Sequence, residues 1–174
     1  MNVLESFSLK GKVALVTGGA GLYGRQIVEA LAEAGAETYI ASRNLESLQQ
    51  VAKEEVERGY NVTAMQLDLS QDESIEKLHS DIITKSGKCD ILINNAVSRE
   101  FGSAGWKNTL DDFDKSLRIN ASALFKITQM FAEDMKKNNS GTIINIGSMM
   151  GTGGRENGNY EGTDITRETS LLYF

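Results

Sequence analysis

The chain has 174 residues, 40% of them hydrophobic, so it is long enough for one domain with a core and short for two. Its formal net charge of −6 argues against binding to nucleic acid or to an anionic membrane surface, because the protein would repel such polyanions. The single cysteine, Cys89, excludes an intramolecular disulfide, and with the single histidine, His79, it is too little for a metal site, so we expect a buried, inert thiol.

The N-terminal part leads into a strand, a glycine turn and a helix. Residues 1–5 include an acid, and the sequence holds no apolar run of membrane length, so we predict a cytoplasmic protein. The apolar run 13–16 predicts a strand, and the helical pattern 25–34 ends at Gly35. Between them, a glycine-rich turn leaves backbone N–H groups free at a helix start, which suits the pyrophosphate of a dinucleotide. The predicted contacts are Gly18, Gly21, Leu22, Tyr23 and Gly24.

Two further strands follow, at 38–41 and 62–67. Asn44 is expected to cap the helix between them. The predicted buried face of that helix comprises Leu45, Leu48, Ala52 and Val56. Ser42 and Arg43 follow the first of these strands, about where a bound dinucleotide places its adenosine ribose. An arginine there favours the 2′-phosphate of NADP(H), because a guanidinium pairs bidentately with phosphate oxygens; a solvated surface arginine is the alternative.

The ends of the third and fourth strands carry the next candidates, because ligands of an open parallel sheet bind at the carboxyl ends of its strands. Asp68 and Leu69 follow the third strand, and the Asp68 carboxylate would accept a hydrogen bond from an adenine amino group or cap the next helix. The spacing of 70–73 predicts a capping box for that helix. The apolar run 91–93 predicts the fourth strand, followed by the candidate contacts Asn95 and Ala96.

A long helix, 109–137, and a fifth strand, 142–146, complete the predicted elements. The apolar stripe of the helix is predicted to include Phe113, Leu117, Leu124, Phe131 and Met135. The alternation of strands and helices predicts an α/β fold: a Rossmann-type, doubly wound parallel sheet with helices on both faces. We expect one domain over 1–174, in which 149–172 form a loop or lid or are disordered.

The motifs resemble those of the classical short-chain dehydrogenase/reductase family, and the match spans essentially the whole chain. The family pattern begins with Thr-Gly-x-x-x-Gly-x-Gly and continues with Asn-Asn-Ala-Gly. The first motif is matched at Thr17, Gly18 and Gly24. Leu22 stands at its middle glycine, and Val97 replaces the glycine of the second motif.

The resemblance also implies three catalytic residues. Asn120 matches the family's helix asparagine and Ser148 its serine after the fifth strand; a polar helix residue and a turn residue are the alternatives. The family tyrosine is followed four places on by a lysine. Tyr160 has Asp164 at that place, so we choose Tyr173, which only one further residue follows; an ordinary tyrosine in an apolar tail is the alternative.

The activity that the resemblance implies is hydride transfer between NADP(H), with NAD(H) less favoured, and a carbonyl or secondary alcohol of the sugar, polyol or ketoacyl type. The tyrosine would pass a proton to or from the substrate oxygen. Ser148 would hold that oxygen, and Asn120 would orient a water of a proton relay. Loop residues such as Arg99 and Trp106 would select this small-molecule substrate, or are simply solvated.

Family members continue beyond the length of this chain, through the motif lysine and the rest of the sheet. The resemblance therefore implies a sheet whose second half is incomplete and a 174-residue form that is inactive or incomplete. We expect a homo-oligomer for a full-length form and doubt one for this form. A catalytically silent dinucleotide-binding or sensor protein is the alternative function.

Overall fold

A computed structural model describes residues 2–99, 107–148, 158, 161 and 162. Its centre is a parallel sheet in the order β3-β2-β1-β4-β5. The strands are β1 (Val13–Thr17), β2 (Glu37–Ser42), β3 (Val62–Gln66), β4 (Ile91–Asn94) and β5 (Thr142–Asn145). Each predicted strand is present within one or two residues, and the strand order confirms the predicted Rossmann-type sheet.

Helices cover both faces of the sheet. They are α1 (Val3–Ser6), α2 (Leu22–Glu33), α3 (Leu45–Glu57), α4 (Asp72–Ser86), α5 (Leu110–Leu117) and α6 (Ala123–Lys137). Successive side chains of a strand point to opposite faces, so Leu15 of β1 packs in one core cluster with Phe131 of α6. Its neighbour Val16 packs in the other cluster, with Val28 of α2 and Leu48 of α3. The expectation of helices on both faces is thereby confirmed.

The helix predicted over 109–137 contains a π-helical turn, Arg118–Ser122, between α5 and α6. A π turn inserts an extra residue, so the positions before and after it cannot share one stripe of 3.6-residue period. The predicted stripe is confirmed at Phe131 and Met135, which are buried. It is wrong at Phe113, which is 37% exposed, and Leu117 and Leu124 are only partly buried.

Two predictions about α3 and α4 need correction, and one about α3 is confirmed. Val56 was expected on the buried face of α3, but it is 53% exposed and the neighbouring Glu55 is buried instead. The capping box over 70–73 is absent, because α4 has Gln71 as its N-cap and no side chain caps it. The Asn44 cap is confirmed, since its side chain accepts a hydrogen bond from the backbone N–H of Ser47 at 3.0 Å.

The helix α2 also differs from its prediction, since it begins at Leu22 rather than at residue 25. The glycine turn therefore enters the helix directly, and residues 22–24 form its first turn.

The lone cysteine lies in the core, as expected. Burial is the largest cause that raises the pKa of the Cys89 thiol to about 12, so the thiol stays neutral. In the described part of the chain, no helix combines the length and the apolar character that a membrane crossing requires.

Candidate functional site

The turn between β1 and α2 is shaped to leave backbone N–H groups open. Gly18 adopts a positive φ of 71°, and its N–H donates to the carbonyl of Ala41 in β2 at 2.7 Å. Gly21 is the N-cap of α2, and no side chain caps the helix. The first intrahelical bond comes from Arg25, so the N–H groups of residues 22–24 have no partner within the helix. Such a helix start is suited to an anion.

The packing of this turn requires a glycine at position 24. A Cβ added to Gly24 would lie 2.1 Å from the carbonyl oxygen of Gly18, closer than any real contact. Leu22 and Tyr23, by contrast, are 86% and 72% exposed. Leu22, which departs from the family motif, therefore projects outward and leaves the close approach of helix and turn intact.

Hydrogen bonds join the end of β1 and the glycine turn to the loop that follows β4. The hydroxyl oxygen of the buried Thr17 accepts hydrogen bonds from the backbone N–H groups of Asn95 at 3.1 Å and Ala96 at 3.0 Å. In return, the Asn95 side-chain amide donates to the carbonyls of Thr17 at 3.1 Å and Gly18 at 3.2 Å. The two segments are thus held at a fixed separation at the carboxyl ends of their strands.

A cavity of about 1040 Å³ lies over these strand ends. All eleven residues predicted as cofactor contacts line it: Gly18, Gly21, Leu22, Tyr23, Gly24, Ser42, Arg43, Asp68, Leu69, Asn95 and Ala96. The predicted residues come from the ends of β1, β2, β3 and β4, which the parallel sheet brings to one edge.

Among the described residues, eight more line the cavity without having been predicted as cofactor contacts: Ala20, Ala41, Asn44, Leu67, Val97, Ser98, Arg99 and Ile119. Most are chain neighbours of predicted residues, so extending each strand end by a few positions would have found them. Ile119 gave no such signal, because it reaches the cavity from the π turn.

At the β2 and β3 end of the cavity, short loops hold the predicted polar residues. The Ser42 hydroxyl donates to the carbonyl of Asn44 at 3.4 Å, and Arg43 is exposed on the cavity wall. The Asp68 carboxylate accepts hydrogen bonds from the backbone N–H and the hydroxyl of Ser70, at 2.9 and 2.7 Å. Asp68 therefore braces its own loop, and the alternative that it caps α4 is wrong, since Gln71 is the N-cap.

Asn120, in the π turn, is bonded to the loop after β4. Its side-chain oxygen accepts from the backbone N–H of Ser98 at 2.8 Å, and its amide nitrogen donates to the Ser98 carbonyl at 2.9 Å. The amide nitrogen also donates to the hydroxyl of Ser116 at 3.2 Å. The Asn120 side chain thus fixes the loop backbone beside the cavity.

The end of β5 is tied to β4 by an asparagine pair. The buried Asn94 donates from its amide nitrogen to the Asn145 side-chain oxygen at 2.8 Å and to the Thr128 hydroxyl at 2.9 Å. Ser148 follows three residues after β5 and is partly buried. Tyr173 and the other candidate, Tyr160, lie outside the described residues, as does most of 149–172.

Residues 12–163 match the family described as short chain dehydrogenase. The 7alpha-hydroxysteroid dehydrogenase of Escherichia coli (strain K12) is 30% identical over 145 residues, which are 83% of this chain and 56% of that protein. The 3-oxoacyl-[acyl-carrier-protein] reductase FabG of Aquifex aeolicus (strain VF5) is 36% identical over 159 residues, 89% of this chain and 63% of that protein. The chain therefore spans less than two thirds of these relatives.

Solved structures agree with the fold. A 7 alpha-hydroxysteroid dehydrogenase complexed with NADH and 7-oxo glycochenodeoxycholic acid has a TM-score of 0.83 and 29% identity, covering 91% of this chain and 62% of that one. A gluconate 5-dehydrogenase from Burkholderia cenocepacia J2315 in complex with NADP and tartrate has a TM-score of 0.79 and 29% identity, covering 88% and 60%.

Proposed function

The chain belongs to the short-chain dehydrogenase/reductase family, and from that premise we propose that it binds NADP(H) and acts in hydride transfer to or from a carbonyl or secondary-alcohol substrate. The observation that carries the proposal is the cavity, which is lined by every residue predicted from the sequence as a cofactor contact. Relatives named as hydroxysteroid, sugar-acid and oxoacyl enzymes support the reaction class, and they leave the substrate open.

The residues at the glycine turn fit a dinucleotide. The contact between Gly24 and the Gly18 carbonyl lets the helix start approach closely, and the uncapped N–H groups of residues 22–24 suit a pyrophosphate. Arg43, on the same cavity wall, would then pair with a 2′-phosphate, which supports NADP(H) over NAD(H). Structural neighbours bind either cofactor, since one has NADH and another NADP.

Ser148 and Tyr173 of this chain would act on the substrate, while the cofactor supplies or accepts the hydride when bound. Ser148 would donate a hydrogen bond to the substrate oxygen, and Tyr173 would exchange a proton with that oxygen. A free phenol has a pKa of about 10, so a tyrosine base needs positive charge nearby to work at neutral pH. In the family motif a lysine supplies it, four places after the tyrosine.

For Asn120 we propose that the side chain positions the loop after β4. The role of Asn120 in a water relay stays a prediction. The bonds of its side chain to Ser98 and Ser116 would keep the loop after β4 in position for cofactor and substrate.

Titration with NADPH and NADH tests the cofactor proposal. We expect tighter binding of NADPH, and in Arg43→Asp a loss of NADPH affinity of about tenfold or more, because charge-assisted hydrogen bonds are replaced by repulsion. Lys53→Asp makes the same change of charge at a 69%-exposed lysine of α3 outside the cavity lining, and it should leave the ratio of the two affinities unchanged.

The outcomes separate the proposal from its rivals. Tighter NADH binding, or an unchanged ratio in Arg43→Asp, would show that Arg43 does not meet a 2′-phosphate. Tight NADPH binding in a protein that includes the motif lysine, without turnover of any carbonyl compound tested, would favour the silent binding protein. Binding of neither nucleotide would overturn the proposal altogether.

A further inference from the structure

Arg99 is a cation in the cavity that the cofactor proposal does not use. It lies three residues beyond Ala96, on the loop after β4, and it lines the same cavity as the glycine turn and Arg43. Within the part of the chain that the structure describes, its guanidinium has neither a carboxylate partner nor a hydrogen bond. A guanidinium that lies on a cavity wall and has no partner among the described residues is available to a ligand.

The order of the strands separates Arg99 from the phosphates of a dinucleotide. Arg43 follows β2, the glycine turn follows β1, and Arg99 follows β4, and these strands are neighbours in that order. A pyrophosphate at the glycine turn and a 2′-phosphate at Arg43 would account for the anionic groups of NADP(H). The opposite, nicotinamide end of the cofactor carries no anion. The cofactor therefore offers no anionic group with which Arg99 could pair.

The backbone that carries Arg99 is held in place. The preceding residue, Ser98, is bonded at both its N–H and its carbonyl by the Asn120 side chain, at 2.8 and 2.9 Å. Asn120 sits in the π turn, which packs beside the loop and contributes Ile119 to the cavity lining. The start of the Arg99 side chain is thus fixed by the fold, as a recognition residue requires.

The charge of the cavity differs from that of the whole chain. The formal net charge of the protein is −6, yet among the described residues the charged members of the cavity lining are Arg43, Arg99 and Asp68, two cations against one acid. The Asp68 carboxylate is already bonded to Ser70. Positive charge gathered in a cleft of an acidic protein raises the local concentration of anions.

We propose that Arg99 binds an acidic group, a carboxylate or a phosphate, on the carbonyl or alcohol substrate. This inference rests on the proposed function, because it places the substrate at the nicotinamide end of a bound cofactor. The planar guanidinium supplies two parallel N–H donors to the two oxygens of either group, so the acid would orient the substrate as well as attract it. Asn120 acts here as a positioning residue, through Ser98.

The inference is tested by measuring the binding of matched pairs of ketones with calorimetry. The protein is saturated with NADP⁺, because the oxidised cofactor cannot reduce the ketones during the measurement. The first pair is 4-oxopentanoate and its methyl ester, and the second is dihydroxyacetone phosphate and dihydroxyacetone. The native protein should bind the acidic member of at least one pair about tenfold more tightly, and the pair that responds distinguishes carboxylate from phosphate. Arg99→Gln should abolish this preference, and Arg99→Lys should retain part of it.

Two controls keep the result specific. Lys53→Gln removes a cation outside the cavity lining and should leave the preference intact. The affinity for NADP⁺ itself should stay within about twofold in Arg99→Gln, because the inferred partner is on the substrate.

Equal affinity for the acidic and neutral members of both pairs, or a preference that survives Arg99→Gln, would overturn the inference. A loss of NADP⁺ affinity in Arg99→Gln would overturn it too, by assigning the guanidinium to a cofactor phosphate. Failure of the native protein to bind NADP⁺ would instead refute the proposed function.

Discussion

Gly24 shows how a single position controls the site. A side chain there would displace the Gly18 carbonyl, because the nearest approach of an added Cβ is 2.1 Å. Gly18 itself holds a φ of 71°, in the region that glycine tolerates best. These two constraints concern the backbone alone, so the requirement for glycine is physical and does not depend on which anion binds.

Gly24→Ala is therefore expected to lower both stability and cofactor affinity. Alanine gains up to about 1 kcal/mol in helix propensity, but the steric overlap costs more, so we expect a net loss of about 1–2 kcal/mol in the free energy of unfolding. Urea denaturation measures this loss, and NADPH titration should show affinity reduced by about tenfold as the turn shifts.

Gly147→Ala is the matched control, because a Cβ at Gly147 meets no atom of the described residues within 4 Å. Its stability should lie within about 0.5 kcal/mol of the native protein. Native stability and affinity in Gly24→Ala would contradict the steric argument.

At the scale of elements, Thr17 couples β1 to the loop that follows β4. Its hydroxyl oxygen accepts from two backbone N–H groups, those of Asn95 and Ala96, and the threonine is only 2% exposed. Neither N–H group belongs to the strand ladder, because β4 ends at Asn94. The hydroxyl thus takes the place of a backbone partner where the two segments diverge to form the cavity.

Thr17→Val keeps the shape of the side chain and removes this acceptor. Two partly buried N–H groups would lose their partner, so we expect a loss of about 2 kcal/mol or more in the free energy of unfolding. Amide hydrogen exchange at Asn95 and Ala96 should accelerate. Thr17→Ser retains the hydroxyl and should lose less than Thr17→Val, and equal losses in both variants would assign the effect to packing.

At the scale of the whole molecule, Asp90 links β1, β4 and β5 at the amino ends of these strands, on the side of the sheet opposite the cavity. Its carboxylate accepts from the backbone N–H of Val13 at 2.9 Å and pairs with Lys88 at 2.9 Å and Lys12 at 3.5 Å. Its backbone carbonyl accepts a hydrogen bond from the backbone N–H of Thr142, the first residue of β5, at 2.9 Å. Burial alone would raise the pKa of Asp90, but the bonds from Lys88 and Val13 and the two lysine charges outweigh it and hold this pKa below the usual range.

This lowered pKa predicts how stability depends on pH. Because the folded pKa of Asp90 is below that of the unfolded chain, about 3.9, its stabilising contribution is present above that value and is lost as pH falls through the folded pKa. Asp90→Asn should be less stable than the native protein at pH 7, and the difference should narrow below about pH 4. Urea denaturation from pH 7 down to pH 3 measures it, and a difference that is constant with pH would refute the assignment.

The sequence by itself determined the order of strands and helices, the glycine turn and the predicted cofactor residues that line the cavity. These features are local: apolar runs, glycines and the residues just after a strand specify them without knowledge of their neighbours. The strand ends then meet at one edge because the strands are parallel, which the alternation of strands and helices already implied.

Only the tertiary structure decided which side chains those elements bury and which groups complete the site. The π turn at residues 118–122 changed the buried face of the long helix, exposed Phe113 and brought Ile119 and Asn120 beside the cavity. Asp68 bonded to Ser70 instead of capping α4. Helical periodicity assumes 3.6 residues in every turn, and a polar side chain can satisfy several partners, so both outcomes depend on contacts that form only when distant segments pack together.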